Sequence, residues 1–215
     1  MRSMLVLSVA TVLLAGQGAA GAQTSPQADP GPVDVPRGDG APVVTDGTFS
    51  PGEWDDARRV DVNDEISLHV KEHRGVVFVG VRGRSGIGPS ELSLAVPDGP
   101  IRKLHVSYAL YEVELPPAGP EPRPRMGLTS GWYANEIRRD EDALPRLREE
   151  GKPPWAADYP SDGLEFAIRR SKLPGPVWRV RLSASGLFGG KPGMVVHPPA
   201  AAERNTARWL ELRLN

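Results

Sequence analysis

From Pro42 onward the chain keeps returning to one pattern, short runs in which every second residue is apolar. The runs are Ile66-Leu68-Val70, Val77-Val79-Val81, Leu92-Leu94-Val96, Leu104-Val106-Tyr108-Leu110, Leu164-Phe166-Ile168, Trp178-Val180-Leu182 and Leu210-Leu212-Leu214. A period of two puts one side of each run against a core, which is the signature of a strand. The intervening positions are often polar, as at Ser67, His69 and Lys71, at Lys103 and His105, at Arg179 and Arg181, and at Glu211 and Arg213. Strands with one wet face belong to antiparallel sheets. Only Gly75 to Val81 is apolar on both faces, so it is expected to be central. With 24 Gly and 23 Pro the chain has little room for long helices, and none of crossover length separates the runs. The expected fold is all-β, an antiparallel β-sandwich of jelly-roll type, because two stacked sheets bury many half-apolar strands.

The ends of the chain are read differently. Arg2 precedes an apolar run from Met4 to Leu14, and Ala20-Gly21-Ala22 follows before Gln23. That is the pattern of a secretory signal over residues 1–22, so the mature protein is expected to be secreted or periplasmic. No later stretch approaches the roughly 20 apolar residues of a membrane span, so none is expected. Residues 23–41 hold Pro26, Pro30, Pro32 and Pro36 and few large apolar side chains, and read as a disordered linker. The domain is then residues 42–215. Its charges nearly balance, 26 basic against 27 acidic, so no positive field gathers nucleic acid and no nucleic-acid partner is expected. The chain has no cysteine, which removes disulfides and thiolate chemistry, and stability must come from the core.

One stretch departs from the alternation. Pro116 to Gly163 carries nine prolines and reads as a long insertion in the sandwich. Its charge-dense middle, Asn135 to Glu150, has the composition of a short solvated helix broken before Pro145. The same insertion holds Trp132, Tyr133, Trp155 and Tyr159 in a region otherwise poor in aliphatic residues.

The segment Asp46-Gly47-Thr48-Phe49-Ser50-Pro51-Gly52-Glu53-Trp54-Asp55-Asp56-Ala57 resembles the opening signature of family 9 carbohydrate-binding modules and their DOMON-like relatives. Further along, Ser161-Asp162-Gly163-Leu164-Glu165-Phe166-Ala167-Ile168 is similar to that family's D-G-x-E segment, and Trp178-Arg179-Val180 to the strand after it. The resemblance runs from about Val43 to Leu214. It implies an extracellular β-sandwich without catalysis that binds a polysaccharide or oligosaccharide and accompanies a secreted glycan-active enzyme. It also implies a structural calcium, for which Asp46, Glu53, Asp55 and Asp56 offer hard oxygen ligands. The same acids also suit ordinary turns and a helix start. A separate branch binds haem, which needs axial ligands such as Met126, Met194, His105 or His197. Nothing in the sequence sets two of these opposite each other, so haem is not expected.

Sugar recognition needs flat apolar surface for pyranose C–H faces and a few fixed polar groups for hydroxyls. Trp132, Tyr133, Trp155 and Tyr159 supply the first, and Asn135, Arg138 and Asp158 the second. The competing reading is that these rings pin the insertion to the sheets as a satellite core, leaving an exported protein-interaction domain. Trp54 and Trp178 read as core, while Trp209 is either exposed or covered by the insertion. No G-x-S-x-G elbow, P-loop or H-E-x-x-H occurs, and His69 with His73 at a strand end makes a poor zinc pair. No enzymatic activity is expected.

Overall fold

The structure, a computed structural model, describes residues 31–124, 129–158, 161–188, 191–199 and 201–215. The expected signal segment, the first part of the linker, Met126 and Tyr159 lie outside the described residues. In chain order the strands are β1 (Val33–Val35), β2 (Arg58–Asp61), β3 (Ile66–His73), β4 (Val76–Gly83), β5 (Ile87–Ala95) and β6 (Ile101–Val106). They continue as β7 (Leu110–Leu115), β8 (Trp132–Ala134), β9 (Gly163–Arg169), β10 (Val177–Phe188), β11 (Lys191–His197) and β12 (Leu210–Leu214). The one α-helix among the described residues is α1 (Leu144–Glu149). The fold is mostly β, as the alternation requires. No helix among the described residues is long and apolar enough to cross a membrane.

Two sheets form. One runs β1-β12-β10-β5-β6-β7 with β11 also paired to β10, and the other runs β2-β3-β4-β9-β8. Pairing is antiparallel throughout except where β1 lies parallel to β12. Strand β4 sits in the middle of the second sheet, where its two apolar faces belong. The inward residues of both sheets meet in one core. Ile66, Leu68, Val70, Val77, Val79, Val81, Leu164, Phe166 and Ile168 come from one sheet, and Leu92, Leu94, Leu104, Trp178, Val180, Leu182, Leu210 and Leu212 from the other. Trp178 is fully buried there, and its indole N–H donates to the Leu173 carbonyl at 2.8 Å, so the ring hides without leaving a polar atom unpaired.

The alternating run from Leu104 to Leu110 is not one strand. It divides into β6 and β7 around Ser107-Tyr108-Ala109, with Val106 facing Leu110 across the hairpin. The residues from Leu110 to Leu115 then make a second strand, so Tyr108 stands on a turn and not on a sheet face.

The outer face of the second sheet carries its own small core of Val43, Phe49, Trp54 and Phe78. Phe49 and Trp54 stack with ring centroids 5.1 Å apart, and His69 meets both edge-on. Gly80 lies beneath, and a Cβ there would stand 2.8 Å from Phe49 and 2.9 Å from Trp54, so only glycine admits this packing. Burial, with the neighbouring Arg59 and Arg82 guanidinium groups, drives the His69 pKa down to about 4. The imidazole is then neutral in the fold at pH values where the unfolded chain protonates it. Its contribution to stability is therefore complete above about 6.5 and lost as pH falls toward 4. We expect the stability difference between pH 7.5 and pH 5 to shrink in His69→Gln by about 1 kcal/mol, allowing for the partial exposure of the ring. Denaturant melts at the two pH values check this, and an unchanged difference refutes it.

The linker reading fails for its second half. Val35 is completely buried, β1 extends the first sheet, and Arg37 bridges to Glu72 on β3. The hydrogen bonds Gly38 N to Glu72 O (2.7 Å) and Glu72 N to Pro36 O (2.9 Å) continue this attachment. The Lys71 ammonium, on a wholly buried side chain, donates to the Ala41 carbonyl at 2.9 Å and pairs with Asp56 at 2.8 Å. Burial alone would raise the Asp56 pKa, but Lys71 and the Gly40 N–H outweigh it and hold the carboxyl below its ordinary value. Local composition suggested a free tether here, and pairing to distant strands overrides it.

Candidate functional site

The β4–β5 and β6–β7 connections lie at one end of the two sheets, beside the stretch where Gly186 of β10 pairs with Gly193 of β11, since Ile87 pairs with Gly186 and Ser90 with both Val106 and Ala184. The insertion lies against this end. Its chain leaves β8 through Asn135 to Arg138, makes a 3-10 turn over Glu141–Ala143, enters α1, and returns through a second 3-10 turn at Pro154–Ala157. Pro145 opens α1 from its first turn, where its missing N–H costs nothing, and does not end a helix before it. An isolated bridge between Arg139 and Asp158, with Asp140 N donating to Ala157 O at 2.9 Å, closes the excursion on itself.

Between the insertion and the sheet ends runs a groove of about 1070 Å³. Its lining includes the small residues Ser85, Gly86, Gly88, Ser185, Gly186 and Gly193. It also includes Tyr108, Tyr133 and Trp155, which are 43%, 50% and 46% exposed. Exposure of this size is unusual for three rings gathered at one concave place, where each ordinarily gains ~1.5–3 kcal/mol by burial.

The expected site residues divide. Tyr133, Asn135, Arg138, Trp155 and Asp158 all line the groove. Trp132 does not: it is 5% exposed, pairs with Ile168 on β9, stacks on Phe166 and donates its indole N–H to Glu112 at 3.0 Å. Adjacent residues on a strand face opposite ways, so one ring of the Trp132-Tyr133 pair had to turn inward. Tyr159 lies outside the described residues. Asn135 borders the groove but is itself buried and spent on the framework. Its Nδ2 donates to Gly163 O at 3.2 Å, and its Oδ1 accepts from Glu165 N at 2.7 Å.

Asp158 is held as well. It accepts from the Tyr108 hydroxyl at 2.8 and 3.0 Å and from Arg139 Nε at 2.7 Å. The Arg139 guanidinium lies 3.9 Å from the centre of the Tyr108 ring and also donates to its hydroxyl. Tyr108 belongs to the site although its alternation with Val106 and Leu110 places it in a strand. Ser107 is the one turn former in that stretch, too weak a signal to break the run.

The two motif segments fold onto each other beside the groove. Glu165 is completely buried, with Oε2 accepting from Asp46 N (3.0 Å) and Gly47 N (2.9 Å) and Oε1 from the Trp54 indole (3.0 Å). Burial pushes its carboxyl above the ordinary range even though these donors oppose the shift. Asp162 N donates back to Gly47 O at 2.8 Å, and Phe49 N donates to Asp162 Oδ2 at 3.2 Å.

The four acids considered for calcium face separate partners. Asp46 accepts from Thr48 N at 2.8 Å, buried Glu53 accepts from Val44 N at 3.3 Å, Asp55 is exposed, and Asp56 pairs with Lys71. Among the described residues no three His, Asp or Glu side chains gather as a metal ion would require. Trp209 is 5% exposed, packed on Ala95 and Ala201 and hydrogen-bonded to Ala202 O, so the chain just before β12 covers it. No family model, curated protein or solved structure matches this chain.

Proposed function

We propose that the protein is an exported, non-catalytic β-sandwich, related to family 9 carbohydrate-binding modules, that binds extracellular glycans alongside a secreted glycan-active enzyme. The shared core of the two sheets supports the sandwich. The observation that carries the function is that Tyr133 and Trp155, both about half exposed, line the same groove. Pyranose rings present apolar C–H faces that stack on such rings, and Arg138, exposed and also lining the groove, supplies hydrogen-bond donors to hydroxyls. A platform built into the fold loses little entropy when a ligand docks.

Isothermal titration against a panel of soluble oligosaccharides tests this reading. Truncating Trp155 or Tyr133 to alanine is expected to weaken binding about 10–100-fold, equivalent to ~1.5–3 kcal/mol of apolar contact. Trp132→Ala is expected to lower thermal stability instead, because that ring belongs to the core. Binding that survives both surface truncations, or no binding across the panel, overturns the proposal and favours a protein-interaction domain.

A further inference from the structure

We infer that the groove takes an oligosaccharide several rings long, with Tyr108 as a third stacking position, and not a single sugar. This rests on the glycan reading above. A hexose has about twelve non-hydrogen atoms, whereas pockets of ~300–1,000 Å³ ordinarily hold much larger drug-sized ligands. At about 1070 Å³ the groove would leave most of its lining in water around one ring. Its three exposed rings also come from three separate places in the chain, the β6–β7 turn, β8 and the 3-10 turn after α1. One pyranose has two faces and cannot engage three platforms.

Tyr108 is built to serve as one of them. Arg139 lies across its ring at 3.9 Å, and Asp158 fixes its hydroxyl, so the side chain is held in place before any ligand arrives. Tyr108 remains 43% exposed and lines the groove. Arg139 occupies one face of the phenol ring, so a sugar's C–H groups would meet the opposite face. Because Asp158 directly follows the turn that carries Trp155, the same contacts tie the Tyr108 and Trp155 platforms together.

Affinity against chain length reads the inference directly. The probes are gluco-, xylo- and manno-oligosaccharides of one to six residues titrated into the full protein, with a broader glycan array alongside. Affinity is expected to rise at least tenfold from the monosaccharide to the tetrasaccharide of the series that binds. Tyr108→Ala should flatten that rise. Tyr108→Phe keeps the ring, loses the hydroxyl contacts with Asp158 and Arg139, and should preserve most of the rise. A monosaccharide that binds as tightly as the tetrasaccharide overturns this inference and leaves glycan binding intact. A steep rise that Tyr108→Ala does not alter removes Tyr108 from the site. No response in any series or on the array overturns the glycan reading and this inference with it.

Discussion

Replacing Glu165 with alanine is expected to cost about 3–5 kcal/mol of folding stability. The side chain is completely buried and ends three N–H groups, from Asp46, Gly47 and Trp54. Each buried donor left without an acceptor costs ~1–3 kcal/mol, and the cavity adds to this. Glu165→Gln keeps one oxygen but turns its amide hydrogens toward a donor, so an intermediate loss of about 2 kcal/mol is expected. Trp54→Phe removes a donor and leaves the carboxyl with two others, so it should be milder. Chemical denaturation of the three variants checks the order. A loss below about 1 kcal/mol in Glu165→Ala shows that the two motif segments are held together by something else.

The second large effect concerns the buried ammonium of Lys71. Asp56→Ala leaves that charge with the Ala41 carbonyl and no counter-ion, which costs about 3–5 kcal/mol and lowers the melting temperature on the order of 10 °C. Pairing the change with Lys71→Met should recover most of the loss, because an apolar side chain of similar length needs no partner in that place. If the double variant is no better than Asp56→Ala, the damage lies in the Gly40 contact to Asp56 and not in the stranded charge. Asp56 holds its low pKa through Lys71 and Gly40, so its contribution is complete above its ordinary value of 3.8 and fades as pH falls through the folded value. The rescue is best measured near pH 7.

These two clusters show where sequence reading reaches and where it stops. Alternation placed β3, β4, β5, β9, β10 and β12 because each buries its own apolar face, a property that six or eight residues carry by themselves. Strand β1 carries no such signal, since Val33-Asp34-Val35 sits among prolines and acquires its order from β12, far along the chain. Strand β11 is hidden in the same way by Pro192 and Gly193, and its place is fixed by β10. The site was legible in part for the same reason. Rings concentrated in a proline-rich insertion poor in aliphatic residues suit either a surface or a satellite core, and here Tyr133 and Trp155 are exposed while Trp132 is buried. Nothing local says which of Trp132 and Tyr133 turns inward, because that depends on register with Ile168 and Ala167. Asn135 looks like a sugar ligand by residue type, yet Gly163 and Glu165 need its amide more.

Selective oxidation of tryptophan measures the central claim most directly. Trp54, Trp132, Trp178 and Trp209 are no more than 7% exposed, whereas Trp155 is 46% exposed, so limited N-bromosuccinimide should modify Trp155 first. Peptide mass spectrometry locates the added oxygen. With a saturating oligosaccharide present, oxidation of Trp155 should be suppressed while the slow reaction of the other four tryptophans is unchanged. Oxidation of Trp155 at the same rate with and without bound glycan contradicts the account.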